Sequence, residues 1–436
     1  MVYYVIIFRR CGMAQKAWFK LDNAAKLYPA ISTNRWMSTF RMSAQLHESI
    51  QPDVLQKALD DTLPRFPSLN VRLRAGIFWY YLEQAPGKLQ VRQDEGHPCM
   101  PFSKKRDGSF LLRVFYFRNR ISAEFFHVLT DGTGGLYFLK TLTVRYLQLL
   151  GHDVCADQGA LDVADAPKDE ETLDAFHNIP LPDVRLSRKE EDAWHFPGTK
   201  EISHTLNVIA ASMPAAPLLE KAHEMNVTFT EYMVSLMLLV AYESQKESGK
   251  RPRPIRVSVP VNMRSFYGIN TMRNFSSFLN PGIDPRLGEY SLEEICHCVH
   301  AFMAHYCTRK HLSGIIATNV AEEKPLLIRL APLFIKNWAI ASVFRNAGDR
   351  QFTSTFSNVG RTPFPTGSEK LIRRFEFLLG VPYDPLCNCA CIACGDEVRI
   401  TFSSNIRETT LQRKLLCRLV EMGIPVEVES NYQEES

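Results

Sequence analysis

At 436 residues the chain is long enough for two or three domains, and its 45% hydrophobic and 22% charged content is that of an ordinary soluble globular enzyme. A net charge of +4 is small for this length, so it predicts neither nucleic acid nor an anionic membrane as a partner. Eleven cysteines, an odd number scattered without small-domain spacing, exclude a disulfide scaffold and point to free thiols in a reducing, cytoplasmic compartment.

The first residues, 2–8, are apolar but too few to span a membrane. Arg9 and Arg10 follow this run instead of preceding it, which is the wrong order for a signal peptide. A strand is expected over 41–46 and a helix over 51–63, with Val54, Leu55, Ala58, Leu59 and Leu63 on one face and Pro64 and Pro67 ending it. Residues 70–73 and 78–82 are strand-like. Two more strands, 111–117 and 121–126, are joined by the polar turn Arg118-Asn119-Arg120. A helix is expected over 136–150, with apolar residues at 136, 139, 142, 146, 149 and 150. Together these elements predict one sheet with helices packed on it.

Between the last strand and that helix lies His127-Val128-Leu129-Thr130-Asp131-Gly132-Thr133-Gly134-Gly135. A strand end fixes the backbone of His127, and the glycines let a substrate or another segment approach closely. An imidazole at such a corner is a candidate catalytic base.

From 151 to 199 the composition turns to Asp, Glu, Lys and Pro, and a surface connection is expected. The expected organisation is a first lobe at 13–165, a crossover at 166–200 and a second lobe at 201–436. In the second lobe, 202–210 alternates like a strand, and 216–225 and 230–243 read as helices. The latter is preceded by Thr228 and Glu231 as a capping box, with Met233, Leu236, Met237 and Val240 as core. Strands are expected at 255–261, 353–358 and 398–402, and helices at 292–306 and 408–422. The most apolar helical stretch, 325–344, is interrupted by Arg329 and Lys336, so no membrane span is expected.

Two clusters have metal-ligating atoms. Cys387, Cys389 and Cys391 alternate as on one face of a strand and have no second ligand arm. Cys296, His297, Cys298, His300 and His305 lie on one helix and point in several directions. No metal is expected at either.

The segment His127-Val128-Leu129-Thr130-Asp131-Gly132 resembles the HxxxDG motif of the coenzyme-A-dependent acyltransferase superfamily, which includes chloramphenicol acetyltransferase, the BAHD plant enzymes, condensation domains of peptide synthetases and stand-alone bacterial alcohol acetyltransferases. Supporting stretches are Phe66-Pro67-Ser68-Leu69, Val259-Pro260-Val261-Asn262-Met263-Arg264, Arg273-Asn274-Phe275-Ser276-Ser277-Phe278 and Phe356-Ser357-Asn358-Val359-Gly360, and the resemblance covers 19–423. It begins after the apolar run at 2–8, which implies Met13 as the functional start. Condensation domains usually carry a second His where this chain has Phe126, and the BAHD segment Asp-Phe-Gly-Trp-Gly is absent. The stand-alone acetyltransferases are therefore the nearest in pattern.

This resemblance implies an α/β fold of two chloramphenicol-acetyltransferase-like lobes, each a mixed sheet flanked by helices, with the active-site channel between them. It implies transfer of an acetyl or short acyl group from coenzyme A to an alcohol or amine. His127 is the expected general base. No cofactor is expected to be bound; acyl-CoA is a co-substrate, and the chain is expected to be a monomer. Asp131 could orient His127 or cap the following helix; the family implies instead a structural anchor paired with an Arg, and Arg264 is the candidate here. Asn274, Ser276, Ser277, Thr355, Ser357 and Asn358 are candidates for the oxyanion or substrate contacts. Two rivals remain: a condensation-type enzyme fed by a carrier-protein thioester, and a family member that binds a ligand without catalysis.

Overall fold

The computed structural model describes residues 18–431, apart from 34–35, 188–189, 202–204, 324 and 384–385. The apolar run at 2–8 and the expected start at Met13 lie outside the described residues, as does the beginning of the strand expected at 202–210.

One sheet has five strands in the order Ile372–Leu379, Thr39–Leu46, Arg120–Phe126, Leu112–Phe117 and Val91–Gln93. All neighbours are antiparallel except the last pair. Helices Pro52–Thr62 and Gly132–Leu149 share its core: Leu55, Leu59, Phe138 and Leu142 pack with Phe40, Met42 and Phe125. The motif helix begins at Gly132, one turn earlier than its apolar pattern suggests, because Asp131 caps it there.

The single first-lobe sheet expected from the sequence is two sheets. Val71–Ala75 and Tyr80–Gln84 pair with each other and with Trp18–Lys20 in a separate three-stranded sheet. Each strand of that hairpin sinks a single residue, Val71 or Leu82, and leaves the rest half or fully exposed. So little apolar surface can cover a core but cannot occupy its centre.

The other sheet has eight strands, Ser276–Leu279, Ile255–Asn262, Ser354–Arg361, Cys387–Cys394, Glu397–Ser404, Asn207–Pro214 and Glu427–Ser430 in that order, with Gly282–Ile283 also paired to Ile255–Asn262. Ser354–Arg361 runs parallel to both its neighbours. Helices Phe229–Glu247, Leu292–Tyr306 and Thr410–Glu421 cover one face through Met233, Leu236, Val299 and Leu415.

Period-2 alternation splits Cys387–Cys394 between the two cores. Cys387, Cys389 and Cys391 point into the second core, beside Phe356 and Phe402. Ala390, Ile392 and Cys394 point into the first. Burial in apolar surroundings pushes the Cys387 and Cys391 thiols well up, which fits inert packing and not ligation. The ten described cysteines are free thiols. Among the described residues no three His, Cys, Asp or Glu side chains gather as a metal site would require, and no single helix is long and apolar enough to cross a membrane.

The two halves of the chain are interleaved. Ile372–Leu379 comes from the residues expected in the second lobe, yet pairs along its length with Thr39–Leu46. Phe375 and Phe377 enter the first core, while Arg374 bonds Glu429 beyond it at 2.8 Å. The connection at 151–199 is irregular but not merely a solvated surface loop: buried Glu171 takes a bond from Arg65 at 2.7 Å, and its carbonyl accepts from Met272 N at 2.7 Å.

Candidate active site

The strand Arg120–Phe126 ends one residue before His127, whose backbone N–H still donates to Ser38 O at 2.9 Å. This bond holds the chain in strand geometry up to the imidazole. The ring stacks on Tyr28, with centroids 4.5 Å apart and planes 25° apart, and meets Phe40 edge-on at 5.2 Å. Nδ1 lies 3.1 Å from Asn274 Oδ1. The Asn274 amide group donates to the His127 carbonyl at 3.0 Å and to Asp22 Oδ2 at 3.3 Å. Those two acceptors fix the amide orientation, so its Oδ1 must face the ring. An oxygen can only accept, hence Nδ1 carries the proton and Nε2 carries the lone pair. Nε2 has no hydrogen-bond partner among the described residues, and His127 lines a cavity of about 330 Å3. Burial holds the imidazole below its ordinary value of 6.5, against the opposite pull of its own backbone carbonyl, of the Asp131 charge and of Asn274.

Asp131 does not orient His127, because the ring is held by Asn274 and both carboxylate oxygens are engaged elsewhere. Arg264 Nη1 donates to Oδ2 at 2.8 Å and Nη2 to Oδ1 at 3.0 Å. Phe275 N donates to Oδ2 at 2.9 Å and Gly134 N to Oδ1 at 3.2 Å. Asp131 is thus at once a helix cap and an anchor. Burial pushes its pKa up, but Arg264 and the two backbone N–H groups outweigh that and hold it below the usual carboxylate range. Arg264 is fixed in turn by the carbonyls of Thr271 at 2.9 Å and Arg273 at 2.7 Å.

The segment carrying Met272 and Asn274 therefore docks on the motif loop. Thr130 Oγ1 donates to Met272 O at 2.6 Å. Gly134 permits the approach: a Cβ there would sit 2.1 Å from Thr130 Oγ1 and 2.4 Å from Met272 O. A Cβ on Gly132 would meet Val359 at 3.3 Å and Phe377 at 3.5 Å, and this glycine lines the cavity beside His127.

Strands of the eight-stranded sheet supply much of the rest of the cavity lining. Phe356 is buried in the second core, so Thr355 and Ser357, its neighbours in the strand, face the cavity. Ser276, Asn358 and Asn262 also line it. The hydroxyls of Ser276, Thr355 and Ser357 have no hydrogen-bond partner among the described residues. Asn358 is already committed, its amide donating to Thr230 Oγ1 at 3.0 Å and its Oδ1 accepting from Gly360 N at 2.8 Å.

Two expected contacts are corrected. Ser277 is not in the cavity wall, because its neighbour Ser276 takes that face of the strand. Asn274, considered as an oxyanion donor, is 1% exposed and spends its amide hydrogens on His127 O and Asp22, so it holds the imidazole from behind.

Sequence reasoning missed Tyr28 and Asn388. Nothing around Tyr28 marks it. Asn388 had a signal: alternation with the buried Cys387 and Cys389 sends it to the opposite face, where it pairs with Thr355 in register and lines the cavity. Burial, and then the charges of Asp22 and Asp131, push the Tyr28 phenol far up, so it stays neutral. Trp36, Phe344 and Tyr383 form an aromatic group with centroids 5.2 to 6.4 Å apart, also in the lining.

No family model and no curated protein matches the chain. Solved structures do. The trichothecene 15-O-acetyltransferase of Fusarium sporotrichioides superposes with a TM-score of 0.61 at 9% identity, over 93% of this chain and 94% of that one. Polyketide synthase associated protein 5 of Mycobacterium tuberculosis gives 0.59 at 16%, over 92% and 97%. The starter condensation domain of rhizomide synthetase, solved as a variant with C8-CoA and Leu-SNAC, gives 0.58 at 12%, over 93% and 94%. At these identities the likeness is one of fold: the chain has the two-lobed α/β fold of these acyltransferase and condensation-domain structures.

Proposed function

We propose that the protein is an acyltransferase that moves an acetyl or other short acyl group from coenzyme A to an alcohol or amine, with His127 as general base. One observation carries this reading: Nδ1 of His127 is bonded to Asn274, which leaves the Nε2 lone pair free beside a cavity that the hydroxyl residues Ser276, Thr355 and Ser357 also line. The volume lies at the small-ligand end of the usual range. The fold neighbour solved with C8-CoA supports a thioester donor of this kind.

In this mechanism the acceptor O–H or N–H donates to Nε2, and its heteroatom attacks the thioester carbonyl as the proton passes to the ring. The new imidazolium keeps its Nδ1–H on the Asn274 carbonyl, whose amide is backed by Asp22. The tetrahedral oxyanion accepts from the hydroxyls of Ser276, Thr355 or Ser357. When the intermediate collapses, the C–S bond breaks and the imidazolium returns its proton to the departing thiolate. General-base catalysis of this kind contributes about 10²–10⁴ in rate, and one oxyanion donor about 3 kcal/mol. Asp131 and Arg264 also line the cavity, but their polar atoms are spent on each other and on backbone groups, and they act by joining the lobes.

The test is incubation with acetyl-CoA and a panel of alcohols and amines. Free thiol should appear faster than with panel or enzyme alone, and mass spectrometry should find an acceptor heavier by one acetyl group. The second reading, a condensation-type enzyme fed by a carrier-protein thioester, is favoured by the neighbour bound to Leu-SNAC. Turnover with an acyl-loaded carrier protein but with no acyl-CoA would select it. Silence with both donors, alongside tight binding of a ligand, would select the non-catalytic alternative.

A further inference from the structure

Helix Leu333–Ala347 is built inside out. Two of its polar residues face the protein: Lys336 is buried, donates to Phe78 O at 2.8 Å and Arg329 O at 3.1 Å, and lies 3.6 Å from the Trp79 ring centroid. Asn337 Nδ2 donates to Tyr80 OH at 2.8 Å. Three of its large apolar residues face water instead, Phe334 72%, Trp338 70% and Val343 67% exposed. The preceding short helix Leu326–Leu330 adds Leu327, 86% exposed, and Leu326 and Leu330. The tip of the hairpin joins the same surface: Ile77 is exposed, and its carbonyl accepts from Leu333 N at 3.0 Å. Single exposed apolar side chains are ordinary; a contiguous patch of this kind on a soluble face needs an occupant.

The charge around the patch selects the occupant. Residues 325–347 contain Arg329, Lys336 and Arg345 and not one Asp or Glu. Arg329 and Arg345 are exposed at its margins. Apolar side chains with a Trp among them and two exposed arginines beside them are the composition of a segment that rests in the boundary of an anionic bilayer. The whole-chain charge of +4 does not show this, because it averages over the whole surface; Glu322, Glu323 and Asp349 lie just outside the segment.

We propose that the face carrying Leu327, Phe334 and Trp338 docks on the surface of an anionic lipid membrane. The same helix lines the cavity through Phe344, so docking sets the cavity beside the lipid and suits it to a lipophilic acceptor. This goes beyond the proposed reaction, and its test needs no substrate, so either can fail without the other.

The full chain is sedimented with vesicles of phosphatidylcholine alone and of phosphatidylcholine with phosphatidylglycerol. Wild type should pellet with both and more strongly with the anionic ones. Leu327→Glu/Trp338→Glu should bind at least about tenfold more weakly, while Val420→Glu, an exposed apolar site on another helix, should bind as wild type. If the double variant misfolds, Leu327→Ser/Phe334→Ser and quenching of tryptophan fluorescence by brominated phosphatidylcholine give the same readout. Wild type that stays in the supernatant with both vesicle types overturns the proposal, as does a double variant that binds unchanged. So does a concentration-dependent dimer that the substitutions dissolve while vesicles capture nothing, which would assign the face to a second copy.

Discussion

Removing Asp131 should cost far more than removing a helix cap. Asp131→Ala deletes two charge-assisted bonds from Arg264 at 2.8 and 3.0 Å, a bond from Phe275 N at 2.9 Å and the cap from Gly134 N at 3.2 Å. Stranding one member of a buried ion pair costs about 3–5 kcal/mol, and a lost cap adds about 1 kcal/mol. The expected loss is therefore about 4–6 kcal/mol. Arg264→Ala leaves the carboxylate bonded to two backbone N–H groups, so its cost should lie near the lower end, about 3 kcal/mol. With both removed, neither charge is stranded, and the double variant should fall short of the sum by about 2–3 kcal/mol. Urea unfolding followed by circular dichroism reads these differences from midpoints at unchanged slope. If Asp131→Ala leaves too little stability to measure, the cycle can be run with Asp131→Asn and Arg264→Gln. Strict additivity, or a cost for Asp131→Ala of only about 1 kcal/mol, a cap alone, would refute the pairing as the seam between the lobes.

Asn274→Ala frees the imidazole to turn and take the other tautomer, so it should lower kcat by about 10² or more with KM little changed; a fall confined to KM would make Asn274 a binding residue. Gly134→Ala forces a methyl to within 2.4 Å of Met272 O and should destabilise by at least about 1–3 kcal/mol, measured as a drop in Tm; an unchanged Tm would mean that the segment does not dock there. The depressed His127 pKa places the acid limb of kcat/KM below pH 6.5. Its sign for stability follows: the unfolded chain binds the proton more readily, so this contribution is whole above 6.5 and is lost as pH falls below it. An acid limb above 6.5 would contradict the burial argument.

The corner around His127 was legible because two strand-period runs, a turn and a helix-period run meet there with glycines between them. The partnership of Asp131 and Arg264 was not legible from composition or spacing: 133 residues separate them, and only the family resemblance pointed to it. Asn274 was named for the wrong task because sequence shows a polar residue beside apolar ones but not which way its amide faces. The hairpin at 71–84 reads like any other strand pair; its thin burial, which sends it to its own sheet, exists only after folding. The stretch at 325–344 was legible as helical, but which of its sides faces water, with Lys336 inside and Trp338 outside, escaped. Ile372–Leu379 escaped as well, since crossing to the other half of the chain is a matter of long-range pairing that no local window contains.

The most direct test of the central claim is acetyl transfer by His127→Ala under conditions where the wild-type protein turns over. With the base removed, thiol release coupled to acceptor acetylation should fall by about 10²–10⁴, while the circular dichroism spectrum and acetyl-CoA affinity stay near those of the wild type. A well-folded His127→Ala protein that acetylates the acceptor at a near-normal rate would contradict it.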